Sequence, residues 1–239
     1  MAAPDASEIA KSPLRICLDV NIWVAHLLAI QNGRQRSSAS ALAQIMRDKE
    51  CEAGPVQLVI SWEMLATLEH VLHRLRFDPQ ITAEFITGLI GVMKTGPEQF
   101  DPHLLPEGGK TLPMNDMEDA GVLASLIAAR ADLLITNNLA DFAIKGCKRI
   151  DTQKIDLPGQ PPRQLFALVY ERNDGVRIVI AHPIDALDWL RKGLRPTPDA
   201  IAPLTEAFAP RGLDLMVLGV VGGTGAWLIQ RALDERARS

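Results

Sequence analysis

The chain has 239 residues, of which 47% are hydrophobic and 23% are charged, a composition that can bury a sizeable core and indicates a globular protein. The net charge of −4 and the pI near 5.8 argue against a protein that coats nucleic acid through bulk positive charge, so any RNA contact should be local. Cys17, Cys51 and Cys147 are widely spaced and form no Cys-x-x-Cys pair, so we expect neither a zinc site nor a disulfide framework, and a reducing, cytoplasmic location.

Short apolar runs alternate with helical patterns from the start of the chain. Residues 1–13 carry acids, lack a long apolar run and read as a flexible lead-in rather than a signal peptide. Leu14–Val20 is apolar without alternation, which is typical of a strand buried on both faces. Helical patterns follow at Asn21–Ile30 and Ser37–Arg47, then a strand at Val56–Ser61 and a helix at Glu63–Leu75.

The same alternation continues to about residue 155. The pattern predicts a helix at Ile81–Met93, a loop at Thr95–Pro113, a helix at Glu118–Ala129 and a short strand at Ala131–Thr136. Alternating strands and helices imply right-handed crossovers and an α/β sandwich of three layers around a central parallel sheet. Residues 14–155 are therefore predicted to form one domain.

The character of the chain changes after a proline-rich break at Asp156–Pro162. Two β-rich runs, Phe166–Glu171 and Val176–Ala181, flank an Asn-Asp-Gly turn and predict a hairpin. A helix at Ile184–Leu194 completes a predicted hairpin and helix extension at 163–195, and a C-terminal apolar segment and tail occupies 196–239.

The apolar part of that tail, Leu213–Ile229, raises the question of a membrane anchor. It is shorter than the about 20 apolar residues that a bilayer requires, and it contains an acid and four glycines. We therefore expect it to be buried against the domain or in a contact with another chain, and not inserted in a membrane.

Oxygen-bearing side chains cluster at the predicted strand ends. Asp19 closes the first strand, Asp116 and Asp119 stand at the start of a helix, and Asn138 and Asp141 follow the third strand. The carboxyl ends of parallel strands meet at one edge of a sheet, so these side chains are predicted to converge. Carboxylates brought together in this way repel one another unless a hard cation such as Mg²⁺ or Mn²⁺ binds them.

Each of these residues also has a purely structural interpretation. Asp116 or Asp119 would serve equally well as a helix N-cap, and Asp141 as a turn cap. Asp19 fits such a role less well, because an acid that ends an apolar strand has no helix to cap within that strand.

Three segments of the chain resemble the motifs of a known family. Leu18–Val24 (LDVNIWV) is similar to an opening motif of hydrophobic-Asp-x-Asn followed by an aliphatic residue, and Ser61–Leu75 (SWEMLATLEHVLHRL) to the family's second helix. Asp116–Phe142 (DMEDAGVLASLIAARADLLITNNLADF) is similar to its third and fourth motifs run together. The family is the PIN domain, specifically its VapC-like toxins, and the resemblance covers about Leu14–Ile150.

The resemblance implies a role for several residues. Asp19 corresponds to the first metal-binding acid and Asp119 to the third, with Asp116 close by as a further catalytic acid. Asn21 is expected to orient Asp19, and Thr136 to line the site.

Two positions depart from the family pattern. The acid of the second helix is replaced by Thr67, with Glu63 one turn earlier and Glu69 two residues later as substitutes. The fourth acid is replaced by Asn138, which leaves Asp141 as the nearest charge.

The resemblance implies a Mg²⁺- or Mn²⁺-dependent endoribonuclease, the toxin of a type II toxin-antitoxin pair. Its expected partners are an RNA substrate and a cognate antitoxin protein, with a homodimer left open. The two departures favour an alternative, a catalytically weakened PIN-like protein that only binds RNA or a partner. A response-regulator receiver is disfavoured, because the chain has no paired acids before the end of the first strand.

Overall fold

The computed structural model describes residues 12–34, 37–102, 117–143, 147–155, 162–171 and 175–201, and of residues 117–119 the backbone alone. Several predicted features lie outside these ranges, so the structure does not bear on them. They are the lead-in up to residue 11, Asp116, most of the break at Asp156–Pro162 and the apolar segment Leu213–Ile229.

Seven strands and seven helices make up the described part of the chain. The strands are β1 (Leu14–Leu18), β2 (Glu50–Cys51), β3 (Gly54–Leu58), β4 (Leu133–Ile135), β5 (Cys147–Ile155), β6 (Arg163–Glu171) and β7 (Arg177–Ala181). The helices are α1 (Val20–Gln31), α2 (Ser38–Asp48), α3 (Trp62–Arg74), α4 (Pro79–Lys94), α5 (Met117–Ala128), α6 (Pro183–Arg191) and α7 (Pro198–Ile201).

One sheet of order β2-β3-β1-β4-β7-β6-β5 runs through the molecule. Its centre is parallel, since β1 pairs with β3 and β4, and β4 with β7, while β2, β5 and β6 pair antiparallel. The prediction of a mixed α/β fold with a central parallel sheet flanked by helices is thereby confirmed. The predicted hairpin, β6–β7, does not stand apart, because β7 extends the central sheet beside β4.

Two neighbouring central strands, β1 and β4, carry much of the buried core of the sheet. Ile16, Cys17 and Leu18 of β1 are fully buried, as are all three residues of β4. Helix α1 packs against α2 and α3, and α2 also packs against α6. The unalternating apolar pattern of these strands thus reflects burial on both faces.

Polar contacts hold the amino-terminal edge of the sheet. The guanidinium of Arg15 donates two hydrogen bonds of 2.7 Å to the carboxylate of Glu98 and one of 2.8 Å to the carbonyl of Ala129. The backbone N–H of Arg15 donates to Asp132 at 2.8 Å. The charged side chains of Arg15, Glu98 and Asp132 at this edge therefore have hydrogen-bond partners within the protein.

Strand β5 was not predicted, because its sequence, CKRIDTQKI, is mostly polar. It pairs antiparallel with β6, and the register shifts between Asp151 and Lys154. At this irregularity the hydroxyl of Thr152 and the amide of Gln153 each donate a hydrogen bond of 2.7 Å to the carboxylate of Asp185 in α6. The bulge thereby fastens β5 to α6.

Helix length bears on the membrane question. Among the residues that the structure describes, no helix is both long and apolar enough to cross a bilayer.

Candidate active site

Asp19 lies directly after β1 at the carboxyl edge of the sheet. It occupies the N-cap position of α1, yet within the described residues its side chain makes no capping hydrogen bond. Oδ2 of Asp19 instead accepts from the hydroxyl of Thr136 at 2.6 Å and from the amide of Asn21 at 2.5 Å. The carboxylate is thus held by the side chain that follows β4 and by that of Asn21 in the first turn of α1, and not by a backbone capping bond.

Parallel pairing of β1 with β4 brings Asp19 and Thr136 together. Leu18 and Ile135 are the last register partners of these strands, and the backbone N–H of Asp19 donates to the carbonyl of Ile135 at 3.0 Å. Thr136 is fully buried and also receives the Asn21 amide at 3.1 Å. Its own backbone N–H donates to the carbonyl of Ala181 at 3.0 Å, so β7 supports the residue from the other side.

The loop after β4 continues this network. The backbone N–H of Asn138 donates to the Thr136 hydroxyl at 2.9 Å, and the backbone N–H of Asn137 donates to Oδ1 of Asn21 at 3.4 Å. The side-chain amide of Asn138 donates to the carboxylate of Asp141, which is exposed. Asn138 and Asp141 are therefore neighbours, and Asn138 is linked to Asp19 through Thr136.

Glu63 is the acid of α3 that reaches another element of the site. A methyl group built on Gly121 of α5 would lie 2.8 Å from Oε2 of Glu63, so the carboxylate occupies the space that the glycine leaves. Gly121 is two residues beyond Asp119 in the chain, about 3 Å along the helix axis. Residues two apart lie on different faces of a helix, so the contact places Glu63 beside this part of α5 without fixing its distance from the Asp119 side chain.

The other two positions considered on α3 differ from Glu63. Thr67 is 2% exposed and belongs to the buried face of the helix. Glu69 is exposed, as Glu63 is, but lies about 120° around the helix from it. The two glutamates therefore face different surroundings, and the Gly121 contact favours Glu63.

Two of the predicted acids have no described side chain. Asp116 lies outside the described residues, and only the backbone of Asp119 is described, within α5. Within the ranges that are described, no three acidic, histidine or cysteine side chains lie close enough together to hold a metal ion. The described network therefore contains Asp19, Asn21, Thr136, Asn138 and Asp141, with Glu63 against α5.

The thiol of Cys17 lies next to this network and is not expected to be reactive. Burial, and then the negative charge of Asp19, raise the pKa of the Cys17 thiol well above its usual range. Cys17 is fully buried and its sulfur is 3.8 Å from that of Met64. Because the thiolate is the reactive form, Cys17 does not supply a nucleophile to the site.

Sequence reasoning missed Gly121. A glycine inside a run of strong helix formers costs about 1 kcal/mol relative to alanine, and this cost is the signal that could have identified it. The reason for the glycine becomes visible only when the Glu63 carboxylate is seen in its place.

A family model described as the PIN domain matches residues 15–140, more than half of the chain. The chain belongs to the PIN-domain family. The match includes Asp19, Glu63, Asp119 and Thr136 and ends before β5. PIN domains are generally nucleases, which places this protein in a nuclease superfamily. Comparison with curated proteins and with solved structures gives no significant match.

Proposed function

We propose that this PIN-domain protein is a metal-dependent endoribonuclease and the toxin of a type II toxin-antitoxin pair. The observation that carries the proposal is the carboxylate of Asp19, which stands at an N-cap position but is held by Asn21 and Thr136. A carboxylate so oriented at the carboxyl edge of a parallel sheet is well suited to bind a ligand in the crevice there.

The donor set fits a hard divalent cation. Asp19 and Glu63 supply carboxylate oxygens, Asn138 supplies an amide oxygen, and by family resemblance Asp119 adds a third carboxylate. All are oxygen ligands, which Mg²⁺ and Mn²⁺ prefer. We propose that Asp19 and Asp119 bind the metal directly and that Asp116 assists them. We also propose that Glu63 of α3 takes the place of the acid that the family carries on the corresponding helix.

The supporting residues position the acids. Asn21 and Thr136 fix the rotamer of Asp19 by donating to the same oxygen, a supporting role of the kind that typically changes metal affinity 10- to 100-fold. A divalent cation held by Asp19 and Asp119 would supply the means to lower the pKa of a water for attack on the RNA phosphodiester and to offset the charge that develops there. Asp141 contributes negative charge at the rim through Asn138.

A second candidate is a catalytically weakened PIN-like protein that binds RNA or a partner without cutting it. The neutral side chains of Thr67 and Asn138, where the family has acids, favour it. Thr67 carries no carboxylate, so we propose that the acid of this helix comes from Glu63 and that the outcome depends on that residue.

Asp19→Asn tests the proposed function. Cleavage of a fluorescent single-stranded RNA should require Mn²⁺ or Mg²⁺, stop in EDTA, and fall at least about 100-fold in the variant while the melting temperature is nearly unchanged. Asp151→Asn, at an exposed acid of β5 that pairs with Arg149, is the matched control and should cleave like the wild type. Growth arrest on expression, lost in Asp19→Asn, would support the toxin role. Cleavage that survives both EDTA and Asp19→Asn would reject the assignment.

A further inference from the structure

Positive charge is concentrated in the three strands that follow the family match. The match ends at residue 140, and β5, β6 and β7 together carry five lysines and arginines but only two acids. Both acids are paired with arginines, Asp151 with Arg149 at 2.9 Å and Glu171 with Arg177 at 2.8 Å. These strands therefore keep a surplus of positive charge in a chain whose net charge is −4.

Two of the remaining cations lie at the free end of the β5–β6 pair. Ile155 and Arg163 are the last register partners of these strands, and Lys154 precedes Ile155. Lys154 and Arg163 are exposed, and no carboxylate among the described residues forms an ion pair with either. We call this end of the pair, Thr152–Ile155 with Arg163–Phe166, the basic arm.

The register of the sheet places the basic arm at the edge that carries Asp19. Leu168 of β6 lies opposite Ile180, the residue before the last of β7. Because β6 begins five residues before Leu168, its first residue lies about four residues, or about 13 Å, beyond the end of β7. That end is Ala181, whose carbonyl accepts from the backbone of Thr136, the residue that donates to the Asp19 carboxylate.

The distance from the basic arm to Asp19 suits a single RNA molecule that contacts both. Strands β4 and β7 separate β6 from β1, which at about 4.8 Å per strand gives about 14 Å across the sheet. With the extension along the strand, the backbone of Arg163 lies about 15 to 20 Å from that of Asp19. A stacked nucleic-acid strand carries a phosphate about every 3.4 Å, so about five nucleotides span this distance.

Contacts with α6 and its N-cap hold the basic arm in place. The hydroxyl of Thr152 and the amide of Gln153 each donate a hydrogen bond of 2.7 Å to the carboxylate of Asp185. Burial, and then the positive charge of Arg163, lower the pKa of His182, so Arg163 lies close to the residue that follows β7. The basic arm is thus preorganised, which lowers the entropic cost of binding a ligand there.

We propose that the basic arm binds the RNA backbone through phosphate contacts from Lys154 and Arg163, several nucleotides away from the phosphate that is cut. The proposal rests on the proposed function and deepens it by assigning a substrate-binding surface outside the family match. Lysine and arginine bind phosphate oxygens through charge-assisted hydrogen bonds, which position RNA without reading its sequence. A chain of net negative charge needs such a local surface, because its acids repel the RNA backbone.

Equilibrium binding in the Asp19→Asn background tests this, because the RNA stays intact. The probe is a fluorescein-labelled RNA dodecamer of mixed sequence, with Kd measured by anisotropy at several KCl concentrations. Lys154→Gln with Arg163→Gln should weaken binding roughly 10-fold and lower the slope of log Kd against log salt by about 0.7 to 0.9 for each contact. Lys154→Arg with Arg163→Lys keeps both charges and should stay within about threefold of the parent.

Arg177→Gln is the matched control. It removes one positive charge from the same sheet, at the opposite end of β7, where Arg177 pairs with Glu171. Its Kd and salt slope should equal those of the parent. An equal loss in this control would overturn the proposal, because it would show that total charge and not the basic arm determines binding.

Cleavage and metal binding separate the basic arm from the metal-binding residues. With Asp19 intact, Lys154→Gln with Arg163→Gln should raise KM roughly 10-fold and leave kcat unchanged, since the contact is the same in the ground state and the transition state. Mn²⁺ affinity by calorimetry should not change, because the distance to Asp19 exceeds the Debye length of about 8 Å at physiological salt. Unchanged Kd and salt slope in this double variant would overturn the proposal.

The two proposals fail separately. If the wild type binds RNA through the basic arm but does not cut it, the basic arm stands and the nuclease proposal falls. If the double variant cuts RNA with the KM of the wild type, the nuclease proposal stands and the basic arm is overturned. If no RNA binds, the basic arm is overturned as well.

Discussion

At the scale of single residues, Gly121 lowers the stability of α5 but leaves space for the Glu63 carboxylate. A glycine in a helix interior is less stable than alanine by about 1 kcal/mol, but alanine at this position would meet Oε2 of Glu63 at 2.8 Å. An alanine here would require the end of the flexible Glu63 side chain to move, whereas the glycine leaves it in place beside α5.

Gly121→Ala should separate stability from metal binding. We expect the Glu63 carboxylate to be displaced and Mn²⁺ affinity, measured by calorimetry, to fall about 10-fold, with little change in melting temperature. Gly88→Ala and Gly91→Ala in α4 are matched controls, since a methyl group on either meets nothing within 4 Å. Each control should raise the free energy of unfolding by up to about 1 kcal/mol and leave Mn²⁺ affinity unchanged.

The effect must act through Glu63. In a Glu63→Gln background, Gly121→Ala should cause no further loss of Mn²⁺ affinity, because the group that it displaces no longer carries a charge. Additive losses would show that Gly121 has a different role.

The sequence indicates which strand ends carry oxygen donors, but not every contact that they make. The ends of β1 and β4 are visible as the last residues of apolar runs, and parallel pairing then predicts that Asp19 and Thr136 lie close together. The choice between Glu63 and Glu69 depends on how α3 is rotated against α5, which helical periodicity alone does not reveal.

At the scale of elements, the helices were easier to predict than the polar strand. Caps and 3.6-residue periodicity located α1 to α6 within a few residues. Strand β5 lies at the edge of the sheet and carries mostly polar residues, so no apolar pattern marks it. Its role appears only in its contact with α6.

The carboxylate of Asp185 gives that contact a pH dependence. Asp185 is fully buried, and burial raises its pKa from 3.8 to about 6, although Thr152 and Gln153 both donate to it. Because the folded pKa lies above the unfolded value, the stabilising contribution is complete below about pH 4 and is lost as pH rises through 6. Asp185→Asn should therefore raise the free energy of unfolding at pH 7 by up to about 2 kcal/mol relative to the wild type.

His182 must be controlled in that measurement. Burial lowers the pKa of His182 to about 4, and its Nδ1 accepts from the backbone N–H of Ile184 at 3.3 Å. Its contribution is complete above the unfolded value of 6.5 and is lost as pH falls towards 4, opposite to that of Asp185. In a His182→Asn background, the free energy of urea unfolding should decline from pH 4 to 7, and Asp185→Asn should reduce this decline to the part that comes from Asp132, whose pKa burial also raises. An undiminished decline would refute the assignment to Asp185.

At the scale of the whole molecule, the family match and the folded unit have different ends. The match stops at residue 140, whereas β4 has β7 as its neighbour and β7 has β6. The sequence predicted the hairpin from its turn. It did not predict that β7 pairs with β4, because that pairing depends on which edge of β4 is left without a partner by β1.

Two truncations test whether the later strands are needed. A chain that ends after Pro203 keeps every described element and should melt cooperatively and retain RNA cleavage. A chain that ends after Ile155 lacks β6, β7 and α6 and exposes the fully buried residues of β4, so we expect it not to fold. A folded and active shorter chain, judged by circular dichroism and RNA cleavage, would contradict this.

The backbone hydrogen bond between Thr136 and Ala181 has a consequence for folding during translation. Thr136 orients Asp19 through its hydroxyl, and its backbone N–H is held by Ala181, the last residue of β7. Asp19 is translated early, but it should be oriented for activity only after β7 has been translated and has paired with β4. At 5–20 residues per second, the ribosome needs several seconds to travel from Thr136 to Ala181. We expect a nascent chain to spare its own messenger during that interval, and ribosome-stalled chains of increasing length should cut RNA only after Ala181 has emerged. Cleavage by shorter stalled chains would show that the site assembles without β7.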